Sequence, residues 1–254
     1  MKWDVTQYDA NSRAREAAAI KLMEQADVAR HERVLDVGCG TGTALAAFAK
    51  RARSVAGVDP SIEMITRAEE KTSGFPSVKL YRMRAEQMPF EAEFDLVYSS
   101  NALQWVKDQP VAISRMHAAL VPGGRLAVQM PARGFSRTLV KCMEDALSQA
   151  EVSGFPDGVE SAWYLPFAEE YDALLARAGF TDRKVWYEDI AMTFATVDEA
   201  MRWAESAAFV PFISRMDDVQ RMMFHHAMHR SLTRLLTRSG LIIDYRRVVA
   251  MARK

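Results

Sequence analysis

Apolar and polar positions along this chain follow two alternating periods. Residues 12–28 carry an approximate apolar stripe at helix spacing, made by Ala17, Ala18, Ile20, Leu22, Met23 and Ala26. The first eleven residues are polar apart from two aromatics, Trp3 and Tyr8. The run from Arg33 to Val37 has strand character, and a helix-period segment, Thr43 to Lys50, follows it closely. Ser54 to Val58 gives a second strand, ending at Asp59. Pro60-Ser61 opens a helix to about Lys71, with Ser61 as N-cap and Glu63 supplying charge of the favoured sign in its first turn. Val78 to Arg82 alternates as a third strand, Phe94 to Ser99 is a buried fourth, and a helix runs from about Gln109 to Leu120. After a turn at Val121-Pro122-Gly123-Gly124, Arg125 to Met130 forms a fifth strand that Pro131 ends. Helical spacing then covers 134–151, 168–178, 198–208 and 218–238. Strand patterns occupy Arg183 to Ile190 and Ile242 to Ala252, and Gly179 closes the helix before the first of these. Strands alternating with helices predict an α/β fold on a parallel sheet.

The join between the first strand and its helix holds the candidate chemistry. Gly38, Gly40 and Gly42 stand at alternate positions there. Glycine lets a ligand approach the backbone closely and lets a tight turn take positive φ. Asp36 lies two residues before the first glycine, and Asp59 ends the second strand, where an acid pairs with ribose hydroxyls. The spacing is G-x-G-x-G, so a dinucleotide loop, which wants G-x-G-x-x-G, does not fit. No G-K-[ST] follows, so a nucleoside-triphosphate loop is excluded as well.

Composition changes little. Of 254 residues, 49% are apolar and 26% charged, and 33 basic residues balance 33 acidic ones. Without a basic tail or Lys/Arg run, no nucleic-acid partner is expected. The two cysteines are Cys39 and Cys142, and the placing of Cys39 inside the glycine loop argues against a structural disulfide and for a reducing compartment. No signal peptide is evident, and no apolar run reaches the roughly 18 residues that suggest a membrane span. A cytoplasmic protein without a membrane partner is the expectation. His225 and His229 are spaced i,i+4, but no acidic or cysteine ligand pattern accompanies them, and no metal is expected.

Asp36, the three glycines and Asp59 together resemble the first motifs of the class I S-adenosylmethionine-dependent methyltransferases. The resemblance implies a doubly wound, seven-stranded, mostly parallel Rossmann-like sheet with an antiparallel last strand. It implies one methyltransferase domain over 1–254, with a cofactor-binding core at about 30–131 and a helical cap at about 134–166 and 191–240. It implies S-adenosyl-L-methionine as cofactor and S-adenosyl-L-homocysteine as product. The expected cofactor contacts are Tyr8 from the N-terminal segment, Asp36, Gly38, Cys39 and Gly40 from the loop, Asp59 and Pro60, and Met64 facing the adenine. Arg84 stands where the family has an acid, leaving the backbone of Ala85 or the side chain of Glu86 for the adenine amino group. Ser99, Ser100 and Leu103 complete the set at the end of the fourth strand.

Ligands in doubly wound folds bind beyond the carboxyl ends of strands, so Ser100-Asn101-Ala102-Leu103-Gln104-Trp105 is expected at the methyl group. It is not the [DN]-P-P-[YF] signature of many amino-group methyltransferases. The string from Asn101 to Trp105, that from Gly124 to Pro131, and Trp3-Asp4 followed by Tyr8 resemble the trans-aconitate methyltransferase family. Malonyl-carrier-protein and juvenile hormone acid methyltransferases share a related string. All of these esterify carboxylates. A carboxylate needs no general base, and no Lys/His/Asp arrangement announces one. The expectation is a small acidic acceptor held near Gln104 and Trp105, with Arg133 as first choice of cationic anchor and Arg137 and Arg215 as others. The alternatives are methylation of a phenol or enol carbon, a non-catalytic cofactor-binding regulator and, more distantly, a dehydrogenase.

Overall fold

The structure, a computed structural model, describes residues 4–153 and 157–254. Trp3 and the loop residues Gly154, Phe155 and Pro156 lie outside the described residues. Seven strands form one sheet: β1 (Arg33–Val37), β2 (Ser54–Asp59), β3 (Val78–Arg82), β4 (Phe94–Ser100), β5 (Leu120–Pro131), β6 (Thr181–Phe194) and β7 (Leu241–Arg253). Their order is β3-β2-β1-β4-β5-β7-β6. The first five pair in parallel, and β7 runs antiparallel to β5 with Pro131 opposite Arg247 and Arg125 opposite Arg253. The switch in strand order falls between β1 and β4, and ligand clefts of doubly wound sheets lie there.

The helices are α1 (Val5–Ala10), α2 (Arg13–Ala26), α3 (Thr43–Ala49), α4 (Ile62–Thr72), α5 (Gln109–Ala119), α6 (Arg137–Gln149), α7 (Ala168–Arg177), α8 (Val197–Glu205), α9 (Val210–Ile213) and α10 (Asp218–Thr233). Several boundaries depart from the sequence reading, among them that of α10, which ends at Thr233 where the pattern ran to 238. The polar N-terminal segment contains a helix, α1, capped by Asp4, whose Oδ1 accepts from the Gln7 backbone N–H at 3.0 Å. β5 begins at Leu120 rather than Arg125, because the Pro-Gly-Gly turn is absorbed as an irregularity: Gly123 and Gly124 exchange backbone hydrogen bonds with Lys254. β6 is longer than expected at both ends.

The chain divides into two compact units. The first comprises Arg13–Ala132, Pro166–Glu188 and Arg247–Lys254; the second comprises Met1–Ser12, Arg133–Leu165 and Asp189–Arg246. In the first, Leu22, Met23 and Ala26 of α2, Leu45 and Phe48 of α3 and Ile65 and Ala68 of α4 pack with Val34, Val55, Tyr98, Ala127 and Val249 of the sheet. Those helix positions repeat at three- and four-residue spacing, the pattern that turns one stripe of a helix toward a core. The second unit has its own core, from α6, α8 and α10 with Phe194, Leu241 and Ile243. Edge-to-face rings line it: Phe135 against Trp163 at 5.6 Å and Trp163 against Phe212 at 5.5 Å.

One carboxylate starts the second unit's first long helix. Ser136 caps α6 with its hydroxyl, and Asp244 of β7 accepts from the backbone N–H groups of Arg137 at 2.9 Å and Thr138 at 3.0 Å. Burial alone would raise the Asp244 pKa, but a hydrogen bond from the Thr138 hydroxyl together with the backbone donors outweighs it and holds the group below the ordinary carboxylate range. Its contribution is therefore present above the usual aspartate pKa and lost as pH falls through the depressed value. Asp244→Ala should lower stability by about 1–2 kcal/mol in urea titrations at pH 7. The gap between variant and wild type should close on acidification.

Candidate active site

The site is built where β1 and β2 end. The glycine loop is tied to the end of β2 by its own backbone: the N–H groups of Gly38 and Cys39 both donate to the Val58 carbonyl, at 2.8 and 3.0 Å. Asp59 completes the tie. Its Oδ2 accepts from the Gly40 N–H at 3.1 Å and its Oδ1 from the Ser61 N–H at 2.9 Å. Each carboxylate oxygen thus takes one backbone donor and keeps a further lone pair, the arrangement needed to accept from two adjacent hydroxyls. Burial pushes the Asp59 pKa up against these bonds.

The three motif glycines have different tasks. A side chain at Gly38 would collide with the Cβ of Ala102, and one at Gly42 would meet Ala68 at 3.0 Å, so both are packing glycines. Gly40, with φ +53°, has no protein atom within 4 Å of where its Cβ would stand. A ligand can therefore lie against the backbone there.

Asp36 is almost wholly buried, next to Cys39 and Asp59. Desolvation, with the Asp59 charge as a smaller contribution, raises its pKa to about 8. The same burial, followed by the charges of Asp36 and Asp59, pushes the Cys39 thiol well above its ordinary value. A carboxyl group this poorly solvated is poised to ionise when a cation comes beside it.

The Asn101–Trp105 string folds into a tight turn after β4. Asn101 sits at φ +54°, a conformation asparagine tolerates better than most residues. Its N–H donates to the Gln129 carbonyl at 2.9 Å, and its carbonyl accepts from Gln104 Nε2, also at 2.9 Å. Gln109 braces the turn by donating from Nε2 to the Leu103 and Val106 carbonyls at 2.6 and 3.0 Å. Gln104 is 8% exposed, and its buried Oε1 has no hydrogen-bond partner among the described residues. Ser100 accepts from Gln129 Nε2 at 2.8 Å and from Asn101 Nδ2 at 3.4 Å. Trp105 is half-buried at the end of the turn.

The remaining expected residues separate into groups. Ser99 is fully buried and donates its hydroxyl to the Val37 carbonyl at 2.7 Å, so its side chain links β4 to β1. Leu103 is buried beneath the turn and Met64 in the first turn of α4. Pro60 follows Asp59 directly and accepts from Arg82 Nε at 3.4 Å. Arg84 is exposed ahead of the short 3-10 turn Ala85–Gln87, whose Ala85 is buried and Glu86 half-buried. Tyr8 and Arg133 belong to the second unit. There Arg133 is 48% exposed and stands 3.7 Å from Glu160; Arg137 and Arg215 are exposed too. His225 and His229 each face a carboxylate of α8, Glu205 at 3.0 Å and Asp198 at 3.2 Å. Sequence reading passed over Gln129 and Arg247, both buried polar side chains inside strands that read as apolar.

This geometry fits a nucleoside bearing a cation: a diol clamp at Asp59, open backbone at Gly40, a buried acid at Asp36. A methyltransferase domain model matches residues 35–128, which span the loop, Asp59 and the β4 turn. The chain belongs to the class I S-adenosylmethionine-dependent methyltransferases. A trans-aconitate 2-methyltransferase of Deinococcus radiodurans is 30% identical, with 88% of this chain and 87% of that protein covered. Among solved structures, the YcgJ protein of Bacillus subtilis aligns over 94% of this chain and 98% of its own, with a TM-score of 0.64 and 17% identity. The Haemonchus contortus phosphoethanolamine N-methyltransferase 2 in complex with S-adenosyl-L-methionine covers 94% of this chain and 52% of its own, with a TM-score of 0.60 and 21% identity. At that identity both structures speak for the fold. Among the described residues, no helix is long and apolar enough to cross a membrane.

Alanine at two of the glycines should separate packing from ligand approach. Gly38→Ala must displace Ala102 and should cost roughly 2 kcal/mol or more, as overpacking does. Gly40→Ala meets open space and only positive-φ strain, and should cost about 1 kcal/mol. Yet it should weaken S-adenosylhomocysteine binding at least tenfold. Thermal melts and calorimetry read the two effects separately.

Proposed function

We propose that this enzyme transfers the methyl group of S-adenosylmethionine to a carboxylate of a small, acidic molecule. The observation that carries the reading is the make-up of the ends of β4 and β5. Ser100, Asn101, Gln104 and Gln129 are neutral donors and acceptors hydrogen-bonded to one another or to the turn. Such a set can position and desolvate an anion that is already nucleophilic, and an ionised carboxylate needs nothing to remove its proton. The activity for which the relatives are named, trans-aconitate 2-methylation, is of the same kind.

When bound, S-adenosylmethionine supplies a methyl group on a positively charged sulfur that departs as a neutral thioether. The roles proposed for the chain follow from the geometry. Asp59 accepts both ribose hydroxyls, and Gly40 lets the cofactor lie against the loop. Asp36 ionises beside the cationic end of the ligand. Ala85 or Glu86 meets the adenine edge, with Met64 beneath the ring. The turn at Asn101–Trp105 holds the acceptor, and Trp105 excludes water. A carboxylate oxygen held in line by the turn would receive the methyl group that the bound cofactor supplies, and no residue of the chain would need to remove a proton.

Three measurements test this reading. Asp59→Ala should weaken S-adenosylmethionine binding by about 1.5–3 kcal/mol, the range for hydrogen bonds to a charged group. Because Asp36 has a pKa of about 8 without a cation nearby, it is largely protonated at pH 7. Binding of S-adenosylmethionine at pH 7 should therefore release close to one proton per site. The release is read from calorimetry in buffers of different ionisation enthalpy, and it should vanish at pH 9 and in Asp36→Asn. Incubation with S-adenosylmethionine and a panel of carboxylic acids, trans-aconitate among them, should give alkali-labile methyl esters by mass spectrometry. An alkali-stable product from a phenol or enol panel would instead favour oxygen or carbon methylation of that class.

A further inference from the structure

Among the described residues of the first unit, one buried guanidinium, Arg247, is left unused by the cofactor roles. It is 5% exposed and lies in β7 opposite Pro131, at the carboxyl end of β5. Two residues further along β7, Val249 packs with Tyr98 of β4, Ala127 of β5 and the apolar stripe of α2. Side chains two apart on a strand share a face. Arg247 therefore stands on the same sheet face as Tyr98, Ser100 and Gln129, at the edge where ligands bind. Its charge is felt at the Tyr98 hydroxyl, which itself donates to the Ala19 carbonyl of α2 at 2.9 Å.

Its charge is only partly answered. Arg247 approaches Glu188 of β6 with Nε and Nη2, both directed at one carboxylate oxygen at 3.1 Å. The other oxygen of Glu188 accepts from Lys21 Nζ at 2.8 Å. Two cations thus share one anion, and Nη1 of Arg247 makes no hydrogen bond among the described residues. A guanidinium fork matches a carboxylate in two parallel hydrogen bonds.

We propose that Arg247 is the specificity anchor of the acceptor, holding through its unpaired donor edge a carboxylate other than the one that is methylated. The anchor rests on the carboxylate reading above and narrows it to acids with two or more carboxyl groups. Holding the non-reacting group leaves the attacking oxygen free of a cation that would blunt it. Glu188 and Lys21 orient the guanidinium, and Glu188 competes with the substrate for it. No proton moves in this role, and the chemistry of methyl transfer is unchanged by it. The anchor lies within the sheet unit, whereas Arg133, Arg137 and Arg215 are exposed in the other.

The test compares trans-aconitate, with three carboxyl groups, with crotonate, which has one. Arg247→Met should raise KM for trans-aconitate by about ten- to a hundredfold, the effect of losing a charge-assisted pair. It should shift KM for crotonate less than threefold and leave S-adenosylhomocysteine affinity intact by calorimetry. Arg247→Lys, which keeps the charge and is the gentler change, should recover part of the loss. Glu188→Gln removes the competing anion and should tighten trans-aconitate binding severalfold in the presence of S-adenosylhomocysteine. Equal KM changes for the two acids, or a Glu188→Gln enzyme that binds trans-aconitate no more tightly, would make Arg247 a structural partner of Glu188 and overturn the anchor alone. A wild-type enzyme that esterifies no carboxylic acid at all would overturn the carboxylate reading, and the anchor with it.

Discussion

No side chain fits between residue 38 and Ala102. That single steric constraint joins the parts of the site that different strands supply. Because Gly38 lacks a Cβ, the turn after β4 closes against the loop after β1, and the sheet holds both. The turn then keeps its shape through Gln104 and Gln109, which bond its carbonyls, and through Asn101, which accepts a positive φ. The loop keeps its own through the Val58 carbonyl and Asp59. Almost every group is held by backbone hydrogen bonds at a strand end, so the geometry survives without a ligand to organise it. Preorganisation of this kind is what a reaction limited by positioning requires.

Electrostatics follows from the same packing. Closing the loop on the turn buries Asp36 and most of Asp59, which water would otherwise solvate. Two acids are thereby raised in energy at one end of the sheet, while a guanidinium is left short of anions at the ends of β5 and β7. A cation beside Asp36 and an anion beside Arg247 would each meet opposite charge.

Much of this was legible in the sequence, and the reasons are local. Ser61 and Gly179 announce the ends of their helices by residue type, and β3 alternates too cleanly to be misplaced. The loop could be read because glycine at fixed spacing beside an acid has few structural meanings. What escaped was whatever depends on partners distant in the chain. Asp244 caps a helix that begins over a hundred residues earlier, and nothing near it in sequence says so. Gln129 and Arg247 sit in strands whose neighbours are apolar, so hydropathy hides them. The division of labour among Gly38, Gly40 and Gly42 was invisible too, because it is decided by Ala102 and Ala68 on other elements. Arginines that looked available from their position after β5 proved exposed, while the buried one lay in the last strand.

The interleaving of the two units along the chain bears on how the protein is made. The second unit draws on its first dozen residues, on 133–165 and on 189–246, and the first unit resumes after each. Strands β6 and β7 both cross from one unit to the other, the boundary falling inside them. Neither unit is complete until β7 has been made, and β7 pairs with β5. Domain-by-domain folding during synthesis, common in chains of this size, is closed to this one. Strands β1 to β5 must wait with an unsatisfied edge at β5, and an unpaired edge of that kind invites association with other chains. The late strand is therefore also a shield for the edge that β5 would otherwise present.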